Sequence, residues 1–163
     1  MAQARRPVLF ACHGASDTPE GRTSLIILVM FPVLERLQQG GPRGRRIARL
    51  LIETFVTDID DSLREMGVGD LSVPKKVKRA AQALGERCLA YRRAVRGPEP
   101  VAALAAEIAA TVPGLENAPA GAAVLARVTI EQIARLEPIP VEEFVAARLP
   151  FADPSDTAFA RYP

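Results

Sequence analysis

The sequence predicts an all-α protein: a single-domain helical bundle of about six helices over residues 1–150, with a poorly structured C-terminal tail over residues 151–163. Two observations favour this fold class. Every long apolar segment repeats its apolar residues at steps of three and four, which is the spacing of one helix face. No segment alternates apolar and polar residues between paired turns, as the strands of β-hairpins do. With 163 residues, 48% of them hydrophobic, the chain is long enough to bury one core.

The start of the chain predicts short elements ahead of a long buried helix. Residues 2–12 predict the end of a helix interrupted at Pro7, and residues 14–22 predict a turn rich in Ser, Asp, Thr, Pro and Gly. Residues 25–34 are the most apolar run and predict a buried central helix, kinked or redirected at Pro32. A membrane-inserting segment is the weaker alternative, because ten residues fall short of the about 20 that span a bilayer and charged residues flank the run.

Residues 38–46 predict a loop, because three glycines and a proline fall within them. Four arginines form a basic patch at the start of the next helix: Arg43, Arg45, Arg46 and Arg49. Cations at a helix N-terminus oppose the helix dipole, so the arginine patch is mildly unfavourable for folding. This placement favours a binding role, with a solvated charge cluster as the alternative.

The next helix carries an acidic edge. Its apolar stripe contains Ile47, Leu51, Phe55, Ile59, Leu63 and Met66. Asp58, Asp61 and Glu65 are spaced i, i+3 and i+7, so they stack along one border of that stripe. With Asp60 they could hold a cation or act as acid and base, but a solvated or partner-facing helix edge is the preferred interpretation.

A glycine corner follows at residues 66–70. Either Gly67 or Gly69 is expected to adopt the left-handed conformation that ends a helix, and Asp70 or Ser72 to cap the next helix. Pro74 suits the first turn of that helix. The two glycines lack the third glycine and the preceding strand of a dinucleotide site, so we interpret them as structural.

The helix after the corner has an apolar seam and a basic face. The seam contains residues at alternating steps of four and three: Val77, Ala81, Leu84, Cys88, Tyr91 and Val95. Opposite the seam lie Lys75, Lys78, Arg79, Gln82, Glu86 and Arg93, with Lys76 at the flank. We call Lys75, Lys76, Lys78 and Arg79 the basic face. It is a candidate interaction surface, although exposed Lys and Arg are common on helices.

A longer pattern joins the acidic edge, the corner and the basic face. It is the run REMGVGDLSVPKKVKRAAQAL at residues 64–84, with DTPEGR at residues 17–22 and AQARRP at residues 2–7. On these motifs the chain resembles the ubiquinol–cytochrome c chaperone family, the assembly factors of the cytochrome bc1 complex. The resemblance is strongest from Met66 to Lys78 and extends from the N-terminus to about Phe151.

The resemblance implies that residues 1–150 form an all-α, non-enzymatic chaperone domain that binds newly made cytochrome b and passes it into the respiratory complex. For mitochondrial members it also implies a small helper protein and a position near the ribosomal exit tunnel. Two surfaces are therefore the candidates for partner binding. They are the basic face (Lys75, Lys76, Lys78 and Arg79) and the acidic edge (Asp58, Asp61 and Glu65).

The remaining segments predict further helices and the turns between them. In chain order these are a turn at 92–100, an alanine-rich helix at 101–112, a loop at 113–121, an amphipathic helix at about 120–136 and a short last helix at 141–149. Pro138 and Pro140 are expected to end the amphipathic helix.

Composition excludes several functions. His13 is the single histidine, so a Ser-His-Asp, Cys-His or multi-histidine metal site is excluded, and we expect no catalytic residue, metal or cofactor. Cys12 and His13 are interpreted as part of a surface turn. The net charge of +2 and the absence of Trp argue against a nucleic-acid binder.

Cys88 lies on the apolar seam, which indicates a buried thiol rather than a disulfide and hence a reducing compartment.

Location and an alternative function follow from the same features. Neither a secretory signal nor an Arg- and Ser-rich leader opens the sequence, so we expect a protein that is not exported. The missing leader and the Ala- and Arg-rich composition favour a bacterial cytoplasm, at the inner face of the inner membrane, with a mitochondrial matrix as the alternative. The alternative to a chaperone is a peripheral membrane or lipid-handling module. In that case the arginine patch and the basic face would contact anionic head groups.

Overall fold

The computed structural model describes residues 13–145 of the chain, apart from the side chain of Val145. Within that range the helices are α1 Pro19–Gln39, α2 Gly41–Glu65, α3 Val73–Val95, α4 Pro100–Thr111, α5 Pro119–Leu136 and α6 Val141–Val145, with a 3-10 turn at Leu115–Asn117. Residues 13–145 contain no strand, so the prediction of an all-α bundle of about six helices is confirmed. The helix predicted at 2–12 and the tail predicted at 151–163 lie outside the described residues.

Helix α1 is the centre of the bundle and packs against α2, α3 and α5. Its apolar run is buried as predicted, with Ile27 and Phe31 fully enclosed, and the helix continues through Pro32 to Gln39. The predicted turn at 14–22 is wrong beyond residue 18, because α1 begins at Pro19. Thr18 is the N-cap, and its Oγ1 accepts a hydrogen bond of 3.1 Å from the backbone N–H of Gly21.

The loop predicted at 38–46 is also wrong. Only Gly40 separates α1 from α2, and Pro42 lies in the first turn of α2. A Cβ atom at Gly44 would overlap the backbone carbonyl of Leu37, so this glycine allows two helices to cross at close range. The glycine-rich segment therefore permits close helix packing instead of forming a long loop.

Helix α3 joins the core through a surface that shifts along its length. In its C-terminal half the predicted seam is buried: the ring of Tyr91 packs edge-on against Phe31 at 5.5 Å, and its hydroxyl lies 2.8 Å from Oγ1 of Thr111. In its N-terminal half, Ala80 and Ala83 pack on the core beside the predicted seam position Ala81. An α-helix drifts by about 20° per heptad relative to a strict seam, which accounts for the shift.

The later elements agree with the sequence within a few residues. Helix α3 continues to Val95, so the turn predicted at 92–100 is shorter than expected. The loop predicted at 113–121 contains the 3-10 turn and the first residues of α5. The last predicted helix begins at Val141, and its final four residues lie outside the described range.

Candidate partner-binding surface

The corner between α2 and α3 is a Schellman motif. Gly67 has a φ of 72°, which confirms the prediction that one of the two glycines is left-handed; Gly69 does not have a positive φ. The N–H of Gly67 donates to the carbonyl of Arg64 at 2.9 Å, and the N–H of Val68 donates to that of Leu63 at 3.1 Å. This hydrogen-bond pattern brings Val68 back over the end of α2 beside Leu63.

The capping role predicted for Asp70 or Ser72 is wrong. Ser72 occupies the N-cap position of α3 but makes no side-chain cap hydrogen bond. Asp70 instead accepts from the Nη1 atom of Arg64 at 2.9 Å, and Arg64 also donates through Nε to Asp60 at 2.6 Å. The corner is therefore held to the end of α2 by an exposed ion-pair network.

An open apolar groove of about 500 Å³ lies beside this corner, between α1, α2 and residues 76–87 of α3. The α2 wall presents Ile59, Leu63 and Met66 at i, i+4 and i+7. The α3 wall presents the small side chains of Ala80 and Ala83. Because these alanines do not reach across to the large side chains of α2, the space between the two helices stays open.

Cations form the rim of the groove. Lys76, Arg79 and Arg87 line its α3 side, whereas Glu20 is the acidic residue of the lining, on α1. Within residues 13–145 these three cations take part in no ion pair, and the Nη1 atom of Arg87 is buried without a hydrogen-bond partner. The groove thus combines an apolar floor with an excess of positive charge.

The structure divides the predicted basic face into two parts. Lys76 and Arg79 line the groove, whereas Lys75 and Lys78 are exposed on α3 outside its lining. Arg87 belongs to the groove and was not among the predicted residues. Only its position, one turn after Ala83 on the α2-facing side of α3, could have indicated its role from sequence.

The acidic edge is not part of the groove. Asp61 and Glu65 are exposed on α2, and Asp58 is half-buried beside a separate small cavity of about 90 Å³ against α1. Neither cavity brings the acidic edge and the basic face together. Their assignment to partner binding stays a prediction.

Two exposed apolar side chains accompany the corner. Leu71 is 99% exposed and Met66 is 54% exposed, and Lys75 follows within four residues of Leu71. An apolar side chain that is fully open to water contributes no burial of apolar surface to the stability of the isolated protein. These residues extend the apolar area from the groove to the tip of the corner.

A buried ion pair on the other half of α3 was not predicted. The carboxylate of Glu35 on α1 accepts from Nε of Arg92 at 2.6 Å and from Nη2 of Arg96 at 2.7 Å. The sequence shows Glu35 only as a charge flanking the apolar run. The two hydrogen bonds join α1 to α3 and serve the fold that holds the groove.

His13 is buried and Cys88 is half-buried in the described region. His13 lies in a turn, as predicted, but its predicted surface position is wrong: the residue is buried where Gly121 packs directly on its backbone, and burial lowers the pKa of the imidazole. Cys88 is a free thiol whose pKa burial raises to about 11. Among the described residues, no three His, Cys, Asp or Glu side chains lie close enough to share a metal ion.

The fold and the groove define the class: an all-helical protein that carries an apolar, cation-rimmed groove suited to holding another molecule. Along residues 13–145 no helix combines the length and apolar content needed to cross a bilayer. Residues 12–151 match the family model described as Ubiquinol-cytochrome C chaperone. The chain belongs to this family, as the motif at residues 64–84 predicted.

A solved structure agrees with the family match. The chain is similar to the crystal structure of the Cbp3 homolog from Brucella abortus, with a TM-score of 0.81 and 31% sequence identity. The similarity covers 95% of this chain and 85% of that one. No match to a curated protein was found.

Proposed function

We propose that the protein is a non-enzymatic assembly chaperone that binds newly made cytochrome b and promotes assembly of the cytochrome bc1 complex. The observation that carries this proposal is an open apolar groove in a chain that belongs to the ubiquinol–cytochrome c chaperone family over residues 12–151. A newly made membrane subunit exposes apolar helices, and an apolar groove on a carrier protein removes part of that surface from water.

The charged surfaces would also serve partners besides the apolar client. In this proposal the basic face (Lys75, Lys76, Lys78 and Arg79) and the acidic edge (Asp58, Asp61 and Glu65) recruit a small helper protein or the ribosome near its exit tunnel. Exposed charges of this kind raise the rate and selectivity of association more than the affinity. The protein would act in the cytoplasm, at the inner face of a bacterial inner membrane.

Affinity purification from the native membranes tests this function. The tagged protein should retain cytochrome b that was labelled in a short pulse, and lose it during a chase as the subunit enters the complex. A tagged chain carrying Ala83→Leu, which fills the groove, is the matched comparison and should retain less. Recovery of labelled cytochrome b no higher than from an untagged strain would contradict the proposal.

A peripheral membrane module is the second candidate, and the exposure of Leu71 favours it. A fully exposed leucine at a loop tip, four residues before Lys75, is the combination that inserts at an anionic interface. Vesicles of phosphatidylglycerol should bind the parent, and Leu71→Ser should release it, if the membrane is the target. Equal behaviour of parent and variant would exclude this candidate.

A further inference from the structure

We infer that the groove between α1, α2 and α3 binds a helical protein segment that is apolar on one side and carries a carboxylate, and that Arg87 is the residue that pairs with this carboxylate. The inference deepens the proposed function, since such a segment would belong to the client. The groove itself can be tested without the client. Three features of the groove support the inference: the spacing of its floor, the charge of its rim and the Nη1 atom of Arg87, which has no hydrogen-bond partner among the described residues.

The floor has the geometry of a helix-binding groove. Ile59, Leu63 and Met66 lie along one line of α2, and Ala80 and Ala83 lie opposite them on α3. Two such helical walls leave a channel in which the side chains at i, i+3 and i+7 of a third helix can pack. The small alanines set its width.

The rim selects for negative charge. In the lining formed by residues 13–145, three cations, Lys76, Arg79 and Arg87, stand against one acidic residue, Glu20, and no ion pair joins them within that range. Nη1 of Arg87 is buried and lacks a hydrogen-bond partner, a state that is unfavourable because the group has lost its water. A carboxylate entering the groove would balance the charge of these cations and could pair with the guanidinium of Arg87, which lines the groove.

A protein segment fits this lining better than a lipid chain does. The groove is open, and its α1 wall contains the hydroxyls of Thr23 and Ser24, which donate to backbone carbonyls of their own helix at 2.8 Å. An acyl chain is best held in an enclosed apolar cavity, whereas a helix with one apolar side needs an open channel bordered by polar groups.

Two synthetic helical peptides of about five turns test the inference. Both carry the same leucine face; one has two glutamates beside it and the other has two lysines at the same positions. Fluorescence anisotropy should show the glutamate peptide binding the full chain at least about tenfold more tightly than the lysine peptide. Vesicles of phosphatidylglycerol, measured in parallel, represent the lipid occupant.

Four variants locate the site. Ala83→Leu fills the groove and should abolish binding of the glutamate peptide, whereas Gln82→Leu adds the same side chain to the exposed face of α3 and should leave binding unchanged. Arg87→Met keeps the length of the stem but removes the charge, and should reduce the preference for glutamate over lysine to about threefold or less. Arg93→Met is its exposed counterpart and should keep the full preference. Circular dichroism verifies that each variant is folded.

Equal affinity for the two peptides, or unchanged binding by Ala83→Leu, would overturn the inference. Vesicle binding that is lost in Ala83→Leu, without discrimination between the peptides, would assign the groove to lipid instead. Because the peptides contain no cytochrome b sequence, peptide binding supports the groove even if the assembly function fails. Conversely, failure of the peptides to bind would overturn the inference about the groove but not the assembly function, which could depend on another surface.

Discussion

Glu35 lies in the buried central helix α1, with its side chain only 6% exposed. Its two partners differ: the side chain of Arg92 is 31% exposed and that of Arg96 is 64% exposed. A buried charge that loses its partner cannot regain water, whereas partly exposed arginines can be hydrated again. The ion pair is therefore asymmetric, and removing one side is not equivalent to removing the other.

Removing the arginines should destabilise the protein more than removing the carboxylate. The double variant Arg92→Met, Arg96→Met leaves Glu35 buried and unpaired, and should lose about 3 kcal/mol of unfolding free energy. Glu35→Gln leaves the partly exposed arginines to water and should lose only about 1–2 kcal/mol. Urea denaturation gives both values. A larger loss for Glu35→Gln than for the double arginine variant would contradict the deeper burial of Glu35.

His13 should make stability depend on pH. Burial lowers its folded-state pKa below the ordinary value of 6.5, so the unfolded chain binds the proton more readily than the folded chain does. The stability that depends on a neutral His13 is fully present above pH 6.5. It is lost as the pH falls through that value toward the lowered pKa of the folded chain. Thermal melts of the parent and of His13→Gln between about pH 8 and pH 5 measure the difference.

The parent should lose more stability on acidification than His13→Gln does. Carboxylates titrate in both proteins, so their contribution cancels in the comparison. Identical slopes for the two proteins would show that His13 has the same pKa in the folded and unfolded chains.

The corner between α2 and α3 depends on Gly67. Its φ of 72° places it in the left-handed region, so Gly67→Val should cost about 1–2 kcal/mol of stability. Gly69 is the matched control, because its φ is not positive and a Cβ there would meet nothing within 4 Å. Gly69→Val should melt close to the parent. Equal destabilisation by both changes would show that the left-handed conformation of Gly67 is not the reason for the loss of stability.

Helix content could be predicted from the sequence because apolar spacing is a local property. The segment from Gly40 to Gly44 shows where local rules failed: glycine and proline indicated a loop, but a Pro in the first turn and a glycine at a close helix crossing are compatible with helix. The use of Gly44 depends on its approach to Leu37, which no local pattern contains. Residue His13 was misplaced for the same reason, since Gly121 covers it from a distant part of the chain.

The groove was only partly predictable. The stripe containing Ile59, Leu63 and Met66 was read from its spacing, and Lys76 and Arg79 were recognised as basic candidates. What the sequence could not show is that Ala80 and Ala83 face this stripe and leave a gap, because that depends on how α2 and α3 are rotated against each other. Arg87 acquires its role only through that rotation.

Stability and function should separate on the basic face. Lys75, Lys78 and Arg79 are exposed, so changing all three to Glu should alter stability by only about 0.5 kcal/mol each. The triple variant should therefore fold. Its three glutamates would repel an acidic partner, which can cost several kcal/mol of binding free energy, so the variant should fail to restore the bc1 complex in a strain lacking the parent.

A control for the triple variant comes from the same helix. Gln82→Glu combined with Arg93→Glu adds negative charge at exposed positions of α3 outside the basic face, and should restore the complex. Restoration by both proteins would mean that the basic face is merely solvated. Partner binding would then depend on the apolar groove or on the acidic edge at Asp58, Asp61 and Glu65.

The most direct measurement of the central claim follows newly made cytochrome b in the native host after the gene for this chain is deleted. Pulse labelling and native electrophoresis report the lifetime of the subunit and its entry into the bc1 complex. An assembly chaperone predicts that cytochrome b is made at the normal rate but is degraded before it assembles, and that the parent chain restores assembly. Normal accumulation of the assembled complex in the deletion strain would contradict the account.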